Sequence, residues 1–303
     1  MPDLALVIVN YKACDLLRQC LLSVFRSAGL ADVPGALRVF VVDNLSGDGS
    51  VEMLQQEFPQ VQVQALAQNI GYGPANNLGI QAALANAENL PRYILLLNPD
   101  TVLPNHALAA MIAFMEAHPQ AGAAGPKLVR EDGSLDKACK RGFPTPEAAF
   151  YHFLRLDRLF PQSRRFGRYD MTFLDPDQLA EVDSLVGAFM LLRREALQAA
   201  GLFDEAFFMY GEDLDLCYRL KQKNWQVYYN PAVTVLHYKG ASSKQNSAKA
   251  NYEFYRAMLL FHRKHLAQDT FFLFNWLITL SIFLLGGVAL LRNSLRPGVG
   301  SAK

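Results

Sequence analysis

The stretch "YILLLNPDTVL" (residues 93–103) joins a short apolar run to an abrupt polar ending. A run of this length bounded by turn residues is typical of a buried strand. Three similar runs precede it, "LALVIV" (4–9), "RVFVV" (38–42) and "VQVQAL" (61–66), and helically spaced apolar residues lie between them, as at 14–28. Strands and helices in regular alternation predict an α/β fold with a mostly parallel central sheet.

Polar residues follow each of the four predicted strands. Because ligands of such sheets usually bind beyond the carboxyl ends of the strands, we expect a ligand cleft there. The two glycines after the third strand permit close backbone approach, although the segment is neither G-x-G-x-x-G nor a Walker sequence. The polar ends are Asn10 and Tyr11, then Asp43, Asn44 and Ser46, then "QNIGYGPANN" (68–77), and finally "NPD" (98–100).

The composition bounds the class of protein. The chain has 303 residues, 51% of them hydrophobic, which is enough for a sizeable core. Its 29 basic and 28 acidic residues nearly cancel, so no overall field favours a nucleic-acid partner. Four scattered cysteines without a C-x-x-C pair, and an N-terminus without signal-peptide features, predict a cytoplasmic setting. Residues 127–180, with prolines and many basic residues, predict loops and short elements.

One C-terminal segment departs from the soluble pattern. "FFLFNWLITLSIFLLGGVALL" (271–291) contains no charge and is long enough to cross a bilayer. We therefore expect residues 266–303 to associate with a membrane. The alternative is a buried helix that covers the core of the domain at 1–265. Basic residues flank both ends of the segment, Arg263 and Lys264 before it and Arg292 and Arg296 after it, so the positive-inside rule selects no topology.

Three carboxylates open a predicted helix in "FMYGEDLDLCYRL" (208–220). At about 100° per residue, Asp213 falls within the apolar arc of this helix. Glu212 and Asp215 fall on its polar side, where Asp215 precedes Arg219 by one turn and the helix dipole favours acids. A carboxylate among apolar neighbours needs a partner or a reason for its desolvation, and a partly desolvated carboxylate suits a general base. Asp213 is therefore either a catalytic base or a buried cap.

Asp100 and His237 are candidate metal ligands. Asp100 either reaches into the cleft or closes a turn, because Asn-Pro-Asp is good turn chemistry. His237 follows the apolar run "AVTVL" and is either a structural residue or a ligand. Together they could hold Mg²⁺ or Mn²⁺ with a substrate diphosphate completing the coordination shell.

Seven segments resemble, in the same order, the family 2 glycosyltransferases, which are inverting nucleotide-sugar enzymes, and most closely their rhamnosyltransferase-like branch. The resemblance covers about residues 4–245 and implies a GT-A fold, with a nucleotide-sugar-binding half at 1–125 and an acceptor-binding half at 126–265. The segments are "VIVNY", "VVDNLSGDGS", "NIGYGPANNLGI", "LLLNPDTVL", "VGAFMLLRREAL", "GLFDEAFFMYGEDLDLCYRL" and "VLHYKG".

The resemblance implies a role for each matched position. Asp213 takes the place of the base that activates the acceptor hydroxyl, and His237 that of an additional metal ligand beside Asp100. Glu212 and Arg141 are expected to assist or to contact the acceptor. Asn98 stands where many relatives carry the first aspartate of Asp-x-Asp, which removes one carboxylate from the metal site. The expected donor contacts are Asn10, Asp43 and Asn69 from the resemblance, with Tyr11, Asn44, Gly71, Asn98 and Asp100 from the strand ends.

The expected activity is the inverting transfer of a sugar, such as rhamnose, from a dTDP- or UDP-sugar to a hydroxyl of a lipid-linked or cell-surface glycan precursor. The expected place is the cytoplasmic face of the cell membrane. One alternative is a non-catalytic nucleotide-binding scaffold of the same fold, against which Asp100, Asp213 and His237 argue. Another is a sugar nucleotidyltransferase, disfavoured because no glycine-rich basic loop follows the first strand.

Overall fold

The computed structural model describes residues 4–27, 37–238 and 247–294. Strands and helices alternate through its first part, as predicted. The continuous apolar runs of the first and fourth strands are wholly buried, as expected of central strands in a sheet covered by helices. The elements are β1 (Leu4–Asn10), α1 (Cys14–Phe25), β2 (Leu37–Asp43), α2 (Ser50–Glu57), β3 (Gln62–Ala65), α3 (Tyr72–Leu84) and β4 (Tyr93–Leu97).

The second part mixes longer elements with short ones. As predicted for 127–180, this region carries short helices, a two-residue strand and a single 3-10 turn at Lys137–Cys139. The elements are β5 (Thr101–Val102), α4 (Ala107–Ala117), β6 (Ala121–Val129), α5 (Pro146–Phe153), α6 (Leu156–Leu159), β7 (Ala180–Glu181), β8 (Phe189–Arg193), α7 (Arg194–Ala200), α8 (Glu212–Gln222), β9 (Gln226–His237), α9 (Ser247–His265) and α10 (Phe272–Ser294).

The strands form one sheet in the order β3-β2-β1-β4-β8-β6-β9-β5, with β7 also paired to β9. The first four strands are parallel neighbours, β8 runs antiparallel to β4 and β6, and β6 is parallel to β9. Residues 125 and 126 both lie in β6. The two halves expected at 1–125 and 126–265 therefore share one sheet.

The sequence pattern predicted two strands in 225–238, broken at Asn230-Pro231, and this was wrong. β9 is a single strand that continues past Pro231 with a register shift against β6, from the pair Asn230–Pro126 to the pair Thr234–Lys127. Proline donates no backbone hydrogen bond, and a bulge accommodates it without ending the strand.

The register aligns the polar strand ends. Asn10 is opposite Asp43 in the β1–β2 pair, and Ile8 is opposite Leu97, the last residue of β4. The antiparallel pair of β5 and β9 sets Thr101 opposite His237. Distant parts of the sequence therefore meet at one edge of the sheet.

The last two helices form a layer beside this sheet. α9 covers α8 through a cluster of Phe207, Leu214, Ala257 and Phe261. α10 packs on α9, but most of its residues are exposed. In its most apolar stretch, whose mean hydropathy is 2.0, only 11% of the residues are buried. Its length and composition would allow it to cross a membrane. A buried helix covering the core is therefore not what the structure shows. Arg296, as well as Lys239 and Gly240 of "VLHYKG", lies outside the described residues.

Candidate active site

Asn10 and Asp43 tie together the ends of β1 and β2. The amide nitrogen Nδ2 of Asn10 lies 3.0 Å from Asp43 Oδ1, 3.0 Å from the Ser46 hydroxyl and 2.9 Å from the Ser50 hydroxyl. Asp43 Oδ2 accepts a hydrogen bond of 3.0 Å from the Ser46 amide. Asn10 is fully buried, and its Oδ1 has no hydrogen-bond partner in the described part of the chain. Tyr11, the next residue, is half-buried at this edge.

A second group of predicted residues continues from the end of β2. Asn44 Nδ2 donates to Asn69 Oδ1 at 3.2 Å and to the Gly71 carbonyl at 3.0 Å. Gly71 has φ +98°, and a Cβ there would lie 2.5 Å from the Phe208 carbonyl oxygen. Only glycine accepts both conditions. Gly71 therefore lets the start of α3 approach the segment before α8, where the Tyr72 amide donates to Phe208 at 2.7 Å.

Tyr72 connects the strand ends with the acids of α8. Its hydroxyl oxygen lies 3.0 Å from both Asn98 Oδ1 and the Gly187 carbonyl oxygen. Burial raises the pKa of Tyr72, and the nearby carboxyl groups of Glu212 and Asp213 raise it further, so the hydroxyl stays protonated and donates. The Gly187 amide in turn donates to Asp213 Oδ2 at 3.3 Å. These contacts join Asn98, a predicted donor residue, to Asp213, the predicted base.

Asp213 forms a buried ion pair with Arg141. Arg141 Nη2 donates to Asp213 Oδ2 at 2.7 Å, and the two side chains are 14% and 8% exposed. Arg141 also donates to the Leu185 carbonyl at 3.0 Å. Burial alone would lower the pKa of Arg141, but the adjacent Asp213 carboxylate raises it. The guanidinium thus stays charged and compensates the charge of Asp213, whose Oδ1 accepts a 2.8 Å hydrogen bond from the Leu214 amide.

The prediction that Glu212 and Asp215 lie on a polar helix face was wrong. They are only 5% and 0% exposed, because Glu212 lies beside Gly73 of α3 and Asp215 is covered by His265 at the end of α9. Burial raises the pKa of Glu212 to about 8, and the charge of Asp213 contributes to this rise. Glu212 Oε2 is buried without a hydrogen-bond partner among the described residues. Glu212 is therefore protonated over much of the neutral range.

Asp215 instead anchors α9 against α8. Burial alone would raise its pKa, but hydrogen bonds from His265, Lys264 and Arg219 outweigh burial and hold the pKa at about 2. Asp215 thus belongs to the packing of the helices, and its pairing with Arg219 is not the weak surface ion pair expected from the helical wheel. The partners are His265 Nε2 at 2.7 Å, Lys264 Nζ at 2.7 Å and Arg219 Nε at 2.8 Å.

Asp100 and His237 meet at the end of β9, and a third residue holds the imidazole. His237 Nε2 lies 3.3 Å from Asp100 Oδ1, and His237 Nδ1 lies 3.0 Å from Asp136 Oδ2. Burial alone would lower the pKa of His237, but Asp100 and Asp136 raise it to about 9. Apart from the contact with His237, Asp100 Oδ1 is buried without a hydrogen-bond partner within the described ranges. This carboxylate and imidazole fit a divalent ion, and Asp136 would orient the ligand.

A second group, which the sequence did not predict, also has metal-ligating side chains. His152, Asp157 and Asp170 place possible ligand atoms within 4.8 Å of one another. Asp170, however, already pairs with Lys137 at 2.9 Å. Because that ion pair neutralises one of the two carboxylates, Asp100 with His237 remains the better candidate for a metal centre.

The family model described as "Glycosyltransferase like family 2" matches residues 2–252. The chain belongs to this family. It is 32% identical over 215 residues to an N-acetylglucosaminyl-diphospho-decaprenol L-rhamnosyltransferase of Mycobacterium tuberculosis, covering 69% of each protein. It is 29% identical over 182 residues to the rhamnosyltransferase WbbL of Escherichia coli K12, covering 59% of the chain and 66% of that relative. The protein is thus a glycosyltransferase, and it has rhamnosyltransferase relatives.

Solved structures show that this glycosyltransferase has the GT-A fold. The mannosyltransferase PcManGT of Pyrobaculum calidifontis, in complex with GDP-Man and Mn²⁺, superimposes with a TM-score of 0.56 at 15% identity, over 97% of this chain and 75% of that one. Another neighbour, GalNAc-T7 with UDP, GalNAc and Mn²⁺, has a TM-score of 0.55 at 15% identity, over 78% of this chain. The chain spans only 44% of that longer protein.

Proposed function

We propose that this glycosyltransferase transfers rhamnose, or a closely related sugar, from a dTDP- or UDP-sugar to a hydroxyl of a lipid-linked or cell-surface glycan precursor, with inversion. The names of the two relatives support the sugar, and the decaprenol-linked substrate in one name supports a lipid-linked acceptor. The observation that carries the proposal is the connected set of contacts from Asn98 through Tyr72 and Gly187 to Asp213. It puts a buried carboxylate within reach of the strand ends where a donor would bind.

In this proposal, residues 1–125 bind the donor. Asn10 and Asp43, which are hydrogen-bonded at the ends of β1 and β2, would contact the nucleoside of the donor. Gly71, which has no side chain, would allow the donor to approach the backbone closely. Asp100 and His237 would hold Mg²⁺ or Mn²⁺, and the bound ion would neutralise charge growing on the leaving diphosphate. The proposed donor contacts are Asn10, Tyr11, Asp43, Asn44, Asn69, Gly71, Asn98 and Asp100.

Residues 126–265 activate the acceptor. Asp213 would take the proton of the acceptor hydroxyl as that oxygen attacks the anomeric carbon, and a single displacement inverts the configuration. Arg141 and the Gly187 amide hold Oδ2 of this carboxylate in place. Glu212, which is neutral at pH 7, adds no second charge beside the base and has an O–H to donate toward the acceptor.

The segment 266–303 associates with the membrane. The exposed apolar surface of α10 supports attachment to the bilayer that holds a lipid-linked acceptor. Nucleotide sugars are cytoplasmic metabolites, so we place the active site on the cytoplasmic face.

A donor screen followed by product analysis tests the proposal. Thermal unfolding is measured with dTDP-, UDP- and GDP-sugars, each with Mg²⁺, with Mn²⁺ or with chelator, because a ligand of the folded state raises apparent stability. We expect one donor to stabilise the protein, more strongly with metal. We also expect transfer of its sugar to a prenyl-diphosphate-linked acceptor with inverted anomeric configuration, read by NMR. Retention of configuration would contradict the mechanism, and donor binding without transfer or hydrolysis would favour a non-catalytic scaffold.

A further inference from the structure

Two short helices of the acceptor half expose an unusual amount of apolar surface. Five large side chains within eleven residues of α5, α6 and the following turn project into solvent, a grouping we call the α5–α6 face. Clustered exposure of this kind marks an interaction site on a folded domain. The exposed fractions are 59% for Phe150, 45% for Phe153, 54% for Leu154, 70% for Leu159 and 53% for Phe160.

Helix caps and a turn hold the α5–α6 face in a defined conformation. Thr145 caps α5 by accepting a 3.2 Å hydrogen bond from the Ala148 amide, and Pro146 occupies the first turn. Arg155, with φ +57°, turns the chain between the two helices. Ala148 and Asp157 are buried on the inner side. The apolar residues therefore point outward because the local backbone and its caps hold them there.

Cationic side chains surround the apolar residues. Between residues 150 and 168 the sequence has five arginines, and its single acid, Asp157, is buried. Arg155 and Arg158 are exposed and form no ion pair within the described part of the chain. The remaining three, Arg164, Arg165 and Arg168, line an open cavity of about 240 Å³ together with Thr145, Glu147 and Ala148. Arg165 pairs with Glu147 at 2.8 Å and Arg168 with Asp183 at 2.7 Å, so Arg164 is the third arginine without an ion pair in the described part of the chain.

We propose that the α5–α6 face binds the surface of an anionic lipid bilayer. Phenylalanine and leucine side chains would enter the boundary between headgroups and acyl chains, and the arginines would contact lipid phosphates. Charge complementarity selects this occupant, because Arg155, Arg158 and Arg164 are cations without an ion pair among the described residues and three of the five exposed apolar side chains are phenylalanines. This goes beyond the proposed function, since it adds a second membrane contact independent of α10.

The face is connected to the proposed base through a short path. The Gly142 amide donates to the Tyr169 carbonyl at 2.8 Å, and Arg141, the preceding residue, pairs with Asp213. The ring of Tyr169 also contacts the imidazole of His152 in α5, with centroids 4.8 Å apart and the two planes tilted by 56°. A bilayer held at the α5–α6 face would thus lie near the acceptor side of the site, where a lipid-linked hydroxyl must arrive.

The test uses the full chain with a fluorescent probe at the tip of the face. An environment-sensitive dye is attached to Leu159→Cys in a Cys14→Ser background, because the other three cysteines are buried. Emission and quenching by an aqueous anion are measured with phosphatidylcholine vesicles and with vesicles that also contain phosphatidylglycerol. A matched probe at Glu88→Cys, an exposed position in the donor half, is the control. No sugar donor is present, so the outcome does not depend on transferase activity.

We expect the Leu159 probe to shift to the blue and to become several-fold less accessible to the quencher on anionic vesicles, with a smaller change on neutral vesicles. The control probe should stay in water on both. Adding Arg155→Glu and Arg158→Glu should abolish the preference for anionic vesicles. If the protein sediments with the vesicles but the aqueous quencher reaches the Leu159 probe as readily as the control probe, the proposal is overturned. A blue shift that grows with protein concentration without vesicles would also overturn it, in favour of self-association.

Discussion

Replacement of Glu212 by glutamine should stabilise the protein at alkaline pH. The Glu212 carboxyl is 5% exposed, has a buried oxygen without a hydrogen-bond partner among the described residues, and lies beside the charged Asp213. Its pKa is raised from 4.5 to about 8 by burial first and by Asp213 second. The folded state therefore prefers the neutral acid, and glutamine supplies a neutral side chain of the same size at every pH.

The magnitude follows from proton linkage. Because the folded-state pKa lies above the unfolded one, the stabilising contribution is complete below about pH 4.5 and is lost as the pH rises through about 8. A rise of roughly 3 to 4 pKa units at about 1.4 kcal/mol each corresponds to roughly 4 to 5 kcal/mol. We therefore expect a stability difference of about 4 to 5 kcal/mol between the variant and the wild type above about pH 8.

Urea unfolding in mild detergent, followed by tryptophan fluorescence, measures this difference across the window from about pH 4.5 to about pH 8. The stability of the wild type relative to Glu212→Gln should fall steadily as the pH rises. Glu52→Gln, at an exposed position of α2, is the matched control and should leave the pH profile unchanged. Parallel profiles for wild type and Glu212→Gln would refute the argument that a buried acid with a raised pKa stands beside Asp213.

Three further substitutions test other contacts of the site. Arg141→Met should cost about 3 to 5 kcal/mol in urea unfolding, because it leaves the Asp213 charge buried without its partner; equal stability would contradict the ion pair. Asp136→Asn should raise the Mn²⁺ concentration needed for half-maximal transfer by about 10- to 100-fold, because it removes the group that orients His237; an unchanged Mn²⁺ titration would contradict that role. Gly71→Ala should lower the melting temperature and the soluble yield, since φ +98° and a 2.5 Å contact oppose any Cβ; a wild-type melting curve would contradict the close approach.

Local patterns in the sequence were enough to predict the strand ends and their alignment. Periodicity located β1, β2 and β4, and parallel pairing then required their polar ends to share one edge. This is why the sequence alone grouped Asn10 with Asp43. The hydrogen bond between their side chains is a further detail that periodicity does not encode.

Contacts between distant residues left no comparable pattern. Asp136 is separated from His237 by 101 positions and lies in an irregular region. The pairing of Arg141 with Asp213 spans 72 positions, and no spacing distinguished Arg141 from the other basic residues around it. The wheel of α8 failed for Asp215 because it assumes a helix with one covered face, whereas α9 covers the other.

The most direct test of the account is a comparison of donor binding and transfer in Asp213→Asn. Calorimetric titration with the nucleotide sugar reports whether the site is folded and binds the donor, and transfer to a lipid-linked acceptor reports the chemistry. Asp177→Asn, with an exposed side chain, controls for the same chemical change. If Asp213 is the base, donor affinity stays within a few-fold of wild type while transfer falls by roughly 10²- to 10⁴-fold. Undiminished turnover in Asp213→Asn would contradict the account.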